Sequence, residues 1–206
     1  MYVACFDLEG VFTPEVWIAI SKATNINELR LTTRDISDYD LLMKNRIKIL
    51  KKNKISLKQI QNIISDMDIL PGAKEFLDFI RRKVQTIIVT DSFTEFISPF
   101  MEKLNYPLCF CHNLETDKEG MITNYNIRIQ EMKRKTIQSL KQLNFEVIVT
   151  GDSYNDLPML FEAKYGILFK PPHKVTEDYP QFPVVTEYSE LKHLILTYLD
   201  SSSLKK

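Results

Sequence analysis

Short apolar runs recur along the chain, and a polar residue follows most of them closely. The runs occupy residues 2–6, 84–89, 107–111, 145–150 and 165–169. Such short runs, rich in β-branched and aromatic residues, are typical of buried β-strands and not of helices. Between them, apolar residues recur at the spacing of amphipathic helices, as they do at 73–80, 93–104 and 137–143. This alternation predicts an α/β fold with a parallel sheet.

Two segments depart from this alternation. Residues 12–70 contain few strand-like runs and several helical stripes. We expect them to form a helical cap inserted after the first strand, over one edge of the sheet. Residues 1–11 and 71–206 would then form the α/β core. A turn signal at 117–120, Asp-Lys-Glu-Gly, lies between two extended runs and predicts a small β-hairpin within 115–130.

The overall charge excludes several classes of function. Lys and Arg together number 27, as do Asp and Glu, so the net charge is zero. A neutral chain lacks the basic surface of a nucleic-acid-binding protein and the polybasic patch of a membrane-surface protein. No apolar run approaches the ~20 residues needed to span a bilayer. We therefore expect small-molecule substrates, no nucleic acid and no membrane partner; whether the chain forms a homodimer is left open.

The cysteines indicate a reducing compartment. Cys5, Cys109 and Cys111 are an odd count, and the N-terminal residues lack the basic segment of a secretory signal. Reduced thiols without an export signal predict a cytoplasmic protein. The stretch 109–112, Cys-Phe-Cys-His, could suggest zinc. Its spacing differs from that of zinc knuckles and no second pair exists, so packing within a strand is the preferred interpretation.

Polar side chains follow three of the predicted strands at the point where each strand ends. These are Asp7, Thr90 and Asp152. Each of them alone could cap a helix N-terminus. As a set they indicate a ligand site, because the carboxyl ends of parallel strands meet at one edge of the sheet.

Further polar residues stand close to these three. Glu9 comes two residues after Asp7, and residues 151–156, Gly-Asp-Ser-Tyr-Asn-Asp, place two carboxylates and an amide in one turn. Lys133 opens the helix that precedes that strand. Clustered oxygen ligands without histidine or cysteine suit Mg²⁺. Acids, a metal and a lysine around a hydroxyl group are the components of phosphoryl transfer through an aspartyl-phosphate.

Four parts of the chain resemble, in their order and strand context, the four motifs of the haloacid dehalogenase superfamily of phosphatases. They are residues 7–11 (Asp-Leu-Glu-Gly-Val), Thr90, Lys133 and residues 151–156. The resemblance implies a Rossmann-like core, and the inserted segment resembles the helical cap of phosphoserine phosphatases. The usual second acid of the first motif is Asp, where this chain has Glu9. Glu at this place fits a bifunctional subgroup, phosphoserine phosphatases that also transfer phosphate to homoserine. Three further stretches of the chain resemble that subgroup: 32–36 (TTRDI), 166–169 (GILF) and 180–183 (PQFP).

The resemblance implies a role for each matching carboxylate. Asp7 would be the nucleophile that takes the phosphoryl group. Glu9 would be the general acid and base, with its backbone carbonyl on Mg²⁺. Asp152 and Asp7 would bind Mg²⁺ directly. Asp156 would support the metal indirectly, through the residues that bind it.

Other matching residues would hold the phosphate and the rest of the substrate. Thr90 and the backbone of the neighbouring Asp91 would bind the phosphoryl oxygens. Lys133 would neutralise their charge, with Lys135 as the alternative lysine. Asn155 would contact the substrate.

In the cap, Glu15 and Arg46 match the positions that hold the amino and carboxylate groups of phosphoserine. Arg46 offers a planar fork that a carboxylate can accept bidentately. Trp17 could line the cap pocket or pack the cap interior. The implied activity is Mg²⁺-dependent hydrolysis of phosphoserine, with homoserine as an acceptor beside water. A phosphatase of another small phosphomonoester and a phospho-accepting receiver-type domain are the alternatives.

Overall fold

A computed structural model describes residues 1–32, 36 and 38–201. Residues 33–35, which belong to the stretch 32–36 quoted above, lie outside the described part. The described strands form one sheet with the spatial order β4-β3-β2-β1-β5-β6-β7. In chain order they are β1 (Tyr2–Phe6), β2 (Gln85–Phe93), β3 (Cys109–Thr116), β4 (Ile122–Asn126), β5 (Glu146–Gly151), β6 (Tyr165–Phe169) and β7 (Val184–Val185).

Helices connect these strands and cover both faces of the sheet. They are α1 (Val16–Thr24), α2 (Tyr39–Lys52), α3 (Leu57–Ser65), α4 (Ala73–Ile80), α5 (Thr94–Lys103), α6 (Met132–Gln142), α7 (Leu157–Glu162), α8 (His173–Asp178) and α9 (Tyr188–Asp200), with 3-10 turns at Asn27–Arg30 and Tyr154–Asp156. In the part of the chain that the structure describes, no helix has both the length and the apolar composition needed to cross a membrane.

The central strand β1 contributes to two cores because its side chains alternate between the faces of the sheet. Ala4 and Phe6 belong to the core that includes residues of α4, α5 and α9, whereas Val3 and Cys5 belong to the core that includes residues of α6, α7 and α8. All four side chains are buried. Burial on both faces explains why β1 is an uninterrupted apolar run. The predicted α/β fold class is confirmed.

The segment between β1 and α4 carries α1, α2 and α3. It leaves and rejoins the sheet region at one point, where the backbone N–H of Leu70 donates to the carbonyl of Phe12 at 2.8 Å. Apolar residues of α1 and α3, such as Ile20 and Ile64, share one buried cluster with Phe96 of α5. The segment is therefore packed onto the sheet's helices, while its description as a separate cap over 12–70 stays a prediction.

The structure differs from the predicted strands in three places. β3 begins at Cys109 and continues to Thr116, beyond the predicted run 107–111. β2 continues past residue 89 to Phe93, and its register with β3 shifts between Val89 and Phe93. Within the shift, the N–H of Ser92 donates to the Thr90 hydroxyl at 3.2 Å, a local bond that apolar periodicity does not report. β7 has two residues, which is too short for a periodicity to show. The predicted hairpin is present, as β3 and β4 pair antiparallel.

The two-sided core gives a stability prediction. Ile148 on β5 is 1% exposed and Ile129 is 42% exposed. Ile148→Ala removes methyl groups from a packed core, so we expect the free energy of unfolding to fall by about 2–5 kcal/mol. Ile129→Ala is the matched control and should change it by less than about 0.5 kcal/mol. Urea unfolding followed by circular dichroism measures the free energy of unfolding of both variants. Equal losses would contradict the placement of Ile148 in the core and Ile129 at the surface.

Candidate active site

The carboxyl ends of three neighbouring strands bring the predicted residues together. Asp7 follows β1, Thr90 lies in β2 and Asp152 follows β5, and β1 pairs with both of the other strands. They line one cavity of about 220 Å³. The other predicted site residues that line it are Glu9, Glu15, Arg46, Asp91, Lys133 and Asn155. Among the predicted site residues, only Asp156 does not line it.

Lys133 stands at the centre of a buried ion cluster. Its Nζ lies 3.1 Å from Asp7 Oδ1, 2.8 Å from Asp156 Oδ1 and 3.6 Å from Asp91 Oδ2. Burial alone would lower the pKa of Lys133, but the three carboxylates raise it well above its usual value. The ammonium group therefore stays charged. Lys135 is only half-buried and forms no ion pair within the described residues.

One lysine does not compensate the negative charge around it. Burial and the nearby Asp156 raise the pKa of Asp7 well above its usual range, although Lys133 opposes the shift. Burial and Asp156 also raise the pKa of Asp152 to about 8. Carboxylates that repel one another in a buried site favour a proton or a further cation.

The same carboxylates fit a divalent metal ion. One oxygen from each of Asp7, Asp152 and Asp156 can be chosen so that all lie within 4.8 Å of one another. Asp7 Oδ1 is buried and accepts no hydrogen bond within the described residues beyond its ion pair with Lys133. An all-oxygen donor set suits Mg²⁺ more than a transition metal. Cys109, Cys111 and His112 lie on β3.

Gly10 makes room for this arrangement. Its φ of +78° is in the left-handed region, and a Cβ built on it would lie 2.4 Å from the Asp152 carboxyl carbon. A side chain at residue 10 would therefore push Asp152 away from Asp7, besides adopting a backbone conformation that glycine tolerates best.

Asp156 organises the turn behind the cavity. Its Oδ2 accepts the backbone N–H groups of Asp152 at 2.8 Å and Ser153 at 3.0 Å, while Oδ1 accepts from Lys133. Its side chain is fully buried. One carboxylate thus fixes both the turn that carries Asp152 and the lysine that pairs with Asp7.

Glu9 lies apart from the three-acid group. Its Oε2 accepts the backbone N–H of Val16 at 3.0 Å, at the start of α1. Burial and the neighbouring Glu15 raise the pKa of Glu9 to about 7. A carboxyl group with such a pKa can both donate and accept a proton near neutral pH. The contribution of its backbone carbonyl to a metal site stays a prediction.

Arg46 is a buried cation at the side of the cavity formed by α2. Its Nη2 donates to the carbonyl of Leu31 at 2.7 Å, and its guanidinium carbon lies 4.3 Å from the ring centroid of Trp17. Burial lowers the pKa of Arg46 to about 10, so the group is still charged at neutral pH. Glu15, also in the cavity lining, is exposed. Away from Lys133, the cavity therefore has one basic group, Arg46, and two acidic groups, Glu9 and Glu15.

Asp91 has contacts that the sequence reasoning missed. Its Oδ2 accepts from Asn155 Nδ2 at 2.6 Å, and its Oδ1 lies 3.5 Å from Nε2 of His112, a buried residue on β3. Burial alone would raise the pKa of Asp91, but Lys133, His112 and Asn155 lower it to about 2. The prediction gave Asp91 a role only through its backbone, which would bind the phosphoryl oxygens. The side-chain role depends on the irregular stretch of β2, for which the sequence has no clear signal.

Comparison with known proteins identifies relatives along nearly the whole chain. Residues 3–164 match the family model of haloacid dehalogenase-like hydrolases. The phosphoserine phosphatase ThrH of Pseudomonas aeruginosa is 45% identical over 95% of this chain and 96% of its own length. A phosphoserine phosphatase of Pseudomonas syringae is 46% identical, over 92% of this chain and 80% of the relative.

Solved structures share the fold. A phosphoserine phosphatase described as a phospho-aspartyl intermediate analogue superimposes with a TM-score of 0.74 at 17% identity, covering 96% of this chain and 98% of the other. A substrate-bound phosphoserine phosphatase complex gives a TM-score of 0.73 at 16% identity, over 96% and 97% of the two chains.

The ion cluster generates a prediction about stability. Lys133→Met would leave buried carboxylates without their cation, so the free energy of unfolding at neutral pH should fall by about 3–5 kcal/mol. Lys135→Met, two residues along the same helix, should change it by less than about 0.5 kcal/mol. Urea unfolding at neutral pH measures both variants. A loss as large for Lys135→Met as for Lys133→Met would contradict the assignment of Lys133.

Proposed function

The chain belongs to the haloacid dehalogenase-like hydrolases, and we propose that it is a Mg²⁺-dependent phosphoserine phosphatase that also transfers the phosphoryl group to homoserine. One observation carries the proposal. A single cavity combines the Asp7–Lys133 pair, suited to a phosphate, with Glu15 and Arg46, suited to an amino acid. The relatives named phosphoserine phosphatase support the same substrate, and membership of a hydrolase family argues against a receiver-type domain.

Asp7 is the proposed nucleophile. Its carboxylate oxygen attacks the phosphorus of the substrate, and the ester bond from phosphorus to the serine oxygen breaks. Lys133, already 3.1 Å from Asp7, would share the negative charge that spreads over the phosphoryl oxygens. The Thr90 hydroxyl would donate a hydrogen bond to the same oxygens. Asp91 and Asp156 keep Lys133 in place through their own ion pairs with its ammonium group.

Glu9 is the proposed acid and base. In the first step it would donate its proton to the leaving serine oxygen, leaving an aspartyl-phosphate on Asp7. In the second step it would take a proton from water, whose oxygen attacks the phosphorus and releases Asp7 and inorganic phosphate. The raised pKa of Glu9, about 7, is suited to both directions.

Asp7, Asp152 and the backbone carbonyl of Glu9 would hold Mg²⁺, with Asp156 behind them. When bound, the ion would neutralise the carboxylates and stabilise charge on the phosphoryl group. The raised pKa values of Asp7 and Asp152 fit this proposal, because they show two carboxylates that lack enough positive charge.

The head group of the substrate would bind between Glu15 and Arg46. A carboxylate can accept two parallel hydrogen bonds from a guanidinium, and an ammonium group can donate to Glu15. Homoserine carries the same two groups with one more methylene before its hydroxyl. It could therefore bind in place of the departed serine and take the phosphoryl group instead of water.

This activity would place the protein in serine or threonine biosynthesis. The free thiols of Cys5, Cys109 and Cys111 are in keeping with a cytoplasmic location. A plain phosphatase for another small phosphomonoester is the alternative that the next experiment separates.

A substrate panel tests the function. With Mg²⁺ present, we expect kcat/KM for phosphoserine to exceed that for O-phosphoethanolamine and p-nitrophenyl phosphate at least about tenfold, because only phosphoserine fills the carboxylate site. Excess EDTA should abolish turnover. Millimolar homoserine should yield phosphohomoserine beside inorganic phosphate, separable by chromatography. Equal rates across the panel would favour the alternative phosphatase, and inorganic phosphate as the sole product would remove the transferase.

Variants of the two carboxylates test the mechanism. Asp7→Asn should lose both activities, because an amide is a poor nucleophile, whereas Glu9→Gln should slow both by about 10²–10⁴-fold. Wild-type protein quenched in acid during turnover should show one added phosphoryl group by intact-mass spectrometry, absent from Asp7→Asn. Circular dichroism checks that both variants fold. More than a few per cent of activity in Asp7→Asn would exclude it as the nucleophile.

A further inference from the structure

Among the described residues, Arg46 has few of the partners that a buried guanidinium usually has. It is 6% exposed, its Nε has no hydrogen-bond partner, and it forms no ion pair within the described ranges. Its Nη2 donates to Leu31, and its Nη1 lies 3.6 Å from the sulfur of Met43. A buried cation with an unpaired N–H is costly unless a ligand completes it.

Trp17 covers the flat face of this guanidinium. The ring centroid lies 4.3 Å from the Arg46 guanidinium carbon, which is cation–π distance. On another side the indole meets Phe96 edge-to-face, with centroids 5.5 Å apart, and Phe96 is fully buried on α5. The stack thus runs from Phe96 on α5 through Trp17 on α1 to Arg46 on α2.

We propose that Trp17 is a positioning residue for substrate specificity: its indole holds the plane of Arg46 so that the guanidinium edge meets the carboxylate of an amino-acid phosphate. The inference rests on the proposed function and goes beyond it, since the resemblance assigned only Glu15 and Arg46 to the head group. Trp17 also lines the cavity, which favours a place beside the substrate over packing within the cap interior alone.

The chemistry of the stack explains why an aromatic residue is needed. A guanidinium is weakly hydrated on its faces and donates hydrogen bonds only from its edge. An indole on one face stabilises the charge without using any N–H, so the unpaired Nε remains available. A tilt of the plane would break the parallel alignment on which bidentate recognition depends.

Two substrates that differ only in the carboxylate isolate the effect. We define the selectivity ratio as kcat/KM for phosphoserine divided by kcat/KM for O-phosphoethanolamine. Trp17→Leu should lower this ratio by about tenfold, mainly through KM for phosphoserine, with little change for phosphoethanolamine. Trp17→Phe keeps an aromatic face and should retain most of the ratio. Arg46→Lys should lower it at least as far as Trp17→Leu, since lysine lacks the planar fork.

A remote cation–π pair provides the matched control. Lys192 Nζ lies 4.0 Å from the ring centroid of Phe79, which joins α4 to α9 and does not line the cavity. Phe79→Leu removes an aromatic face from a cation in the same way as Trp17→Leu does. It should leave the selectivity ratio unchanged.

Fluorescence tests the stack without altering it. Trp17 is the only tryptophan in the chain, so all tryptophan emission comes from this site. In Asp7→Asn, which should not consume substrate, phosphoserine should change the emission intensity or wavelength in a saturable way. Phosphoethanolamine at matched occupancy, measured by calorimetry, should change it much less. This measurement stands even if Trp17→Leu fails to fold.

The outcomes separate the two proposals. Suppose that the wild type prefers phosphoserine but Trp17→Leu lowers kcat/KM equally for both substrates, or for neither. Trp17 is then a packing residue, and the inference is overturned while the proposed function stands. An emission that responds equally to both ligands would also overturn it. A selectivity ratio near one in the wild type would overturn both the proposal that the substrate has an amino-acid head group and the proposed role of Trp17.

Discussion

The contact of Lys133 with three carboxylates, two of them buried and one half-buried, is the constraint on which the site depends. The ammonium group reaches Asp7, Asp91 and Asp156 at 3.1, 3.6 and 2.8 Å, and these acids come from three different strand ends or turns. Without a charge between them, the carboxylates would repel one another in a region from which water is largely removed. The parallel sheet brings the acids together, and α6 supplies the cation that makes their proximity tolerable.

One lysine leaves part of the negative charge in the site uncompensated. Asp7 and Asp152 have raised pKa values because one lysine is too little for the cluster, whereas Asp91 has a pKa of about 2 because three donors surround it. Neighbouring groups thus shift the pKa values of these carboxylates in opposite directions: that of Asp91 is lowered, and those of Asp7 and Asp152 are raised for want of positive charge. That shortage is the physical basis for proposing Mg²⁺ there.

The proposed recognition of the substrate uses a different part of the chain. Residues at the strand ends line one part of the cavity and are proposed to bind the phosphate, while the inserted helices α1 and α2 contribute Trp17 and Arg46 to its lining. Because Phe96 of α5 packs against Trp17, the inserted helices and the sheet's own helices meet beside this cavity. In the proposed function, the residues at the strand ends would carry out the reaction and those of the inserted helices would select the substrate.

The sequence by itself predicted the α/β alternation and the polar residues that follow the apolar runs, because apolar periodicity and the residues next to each run are local properties. Candidate residues such as Glu15 and Arg46 came from the resemblance to the family. Only the tertiary structure decided between Lys133 and Lys135, since the choice depends on which side of α6 faces the acids. It also placed His112 and Asn155 on Asp91, and Trp17 on Arg46. These contacts join residues from separate elements, and the distance between them follows from packing, which sequence spacing does not encode.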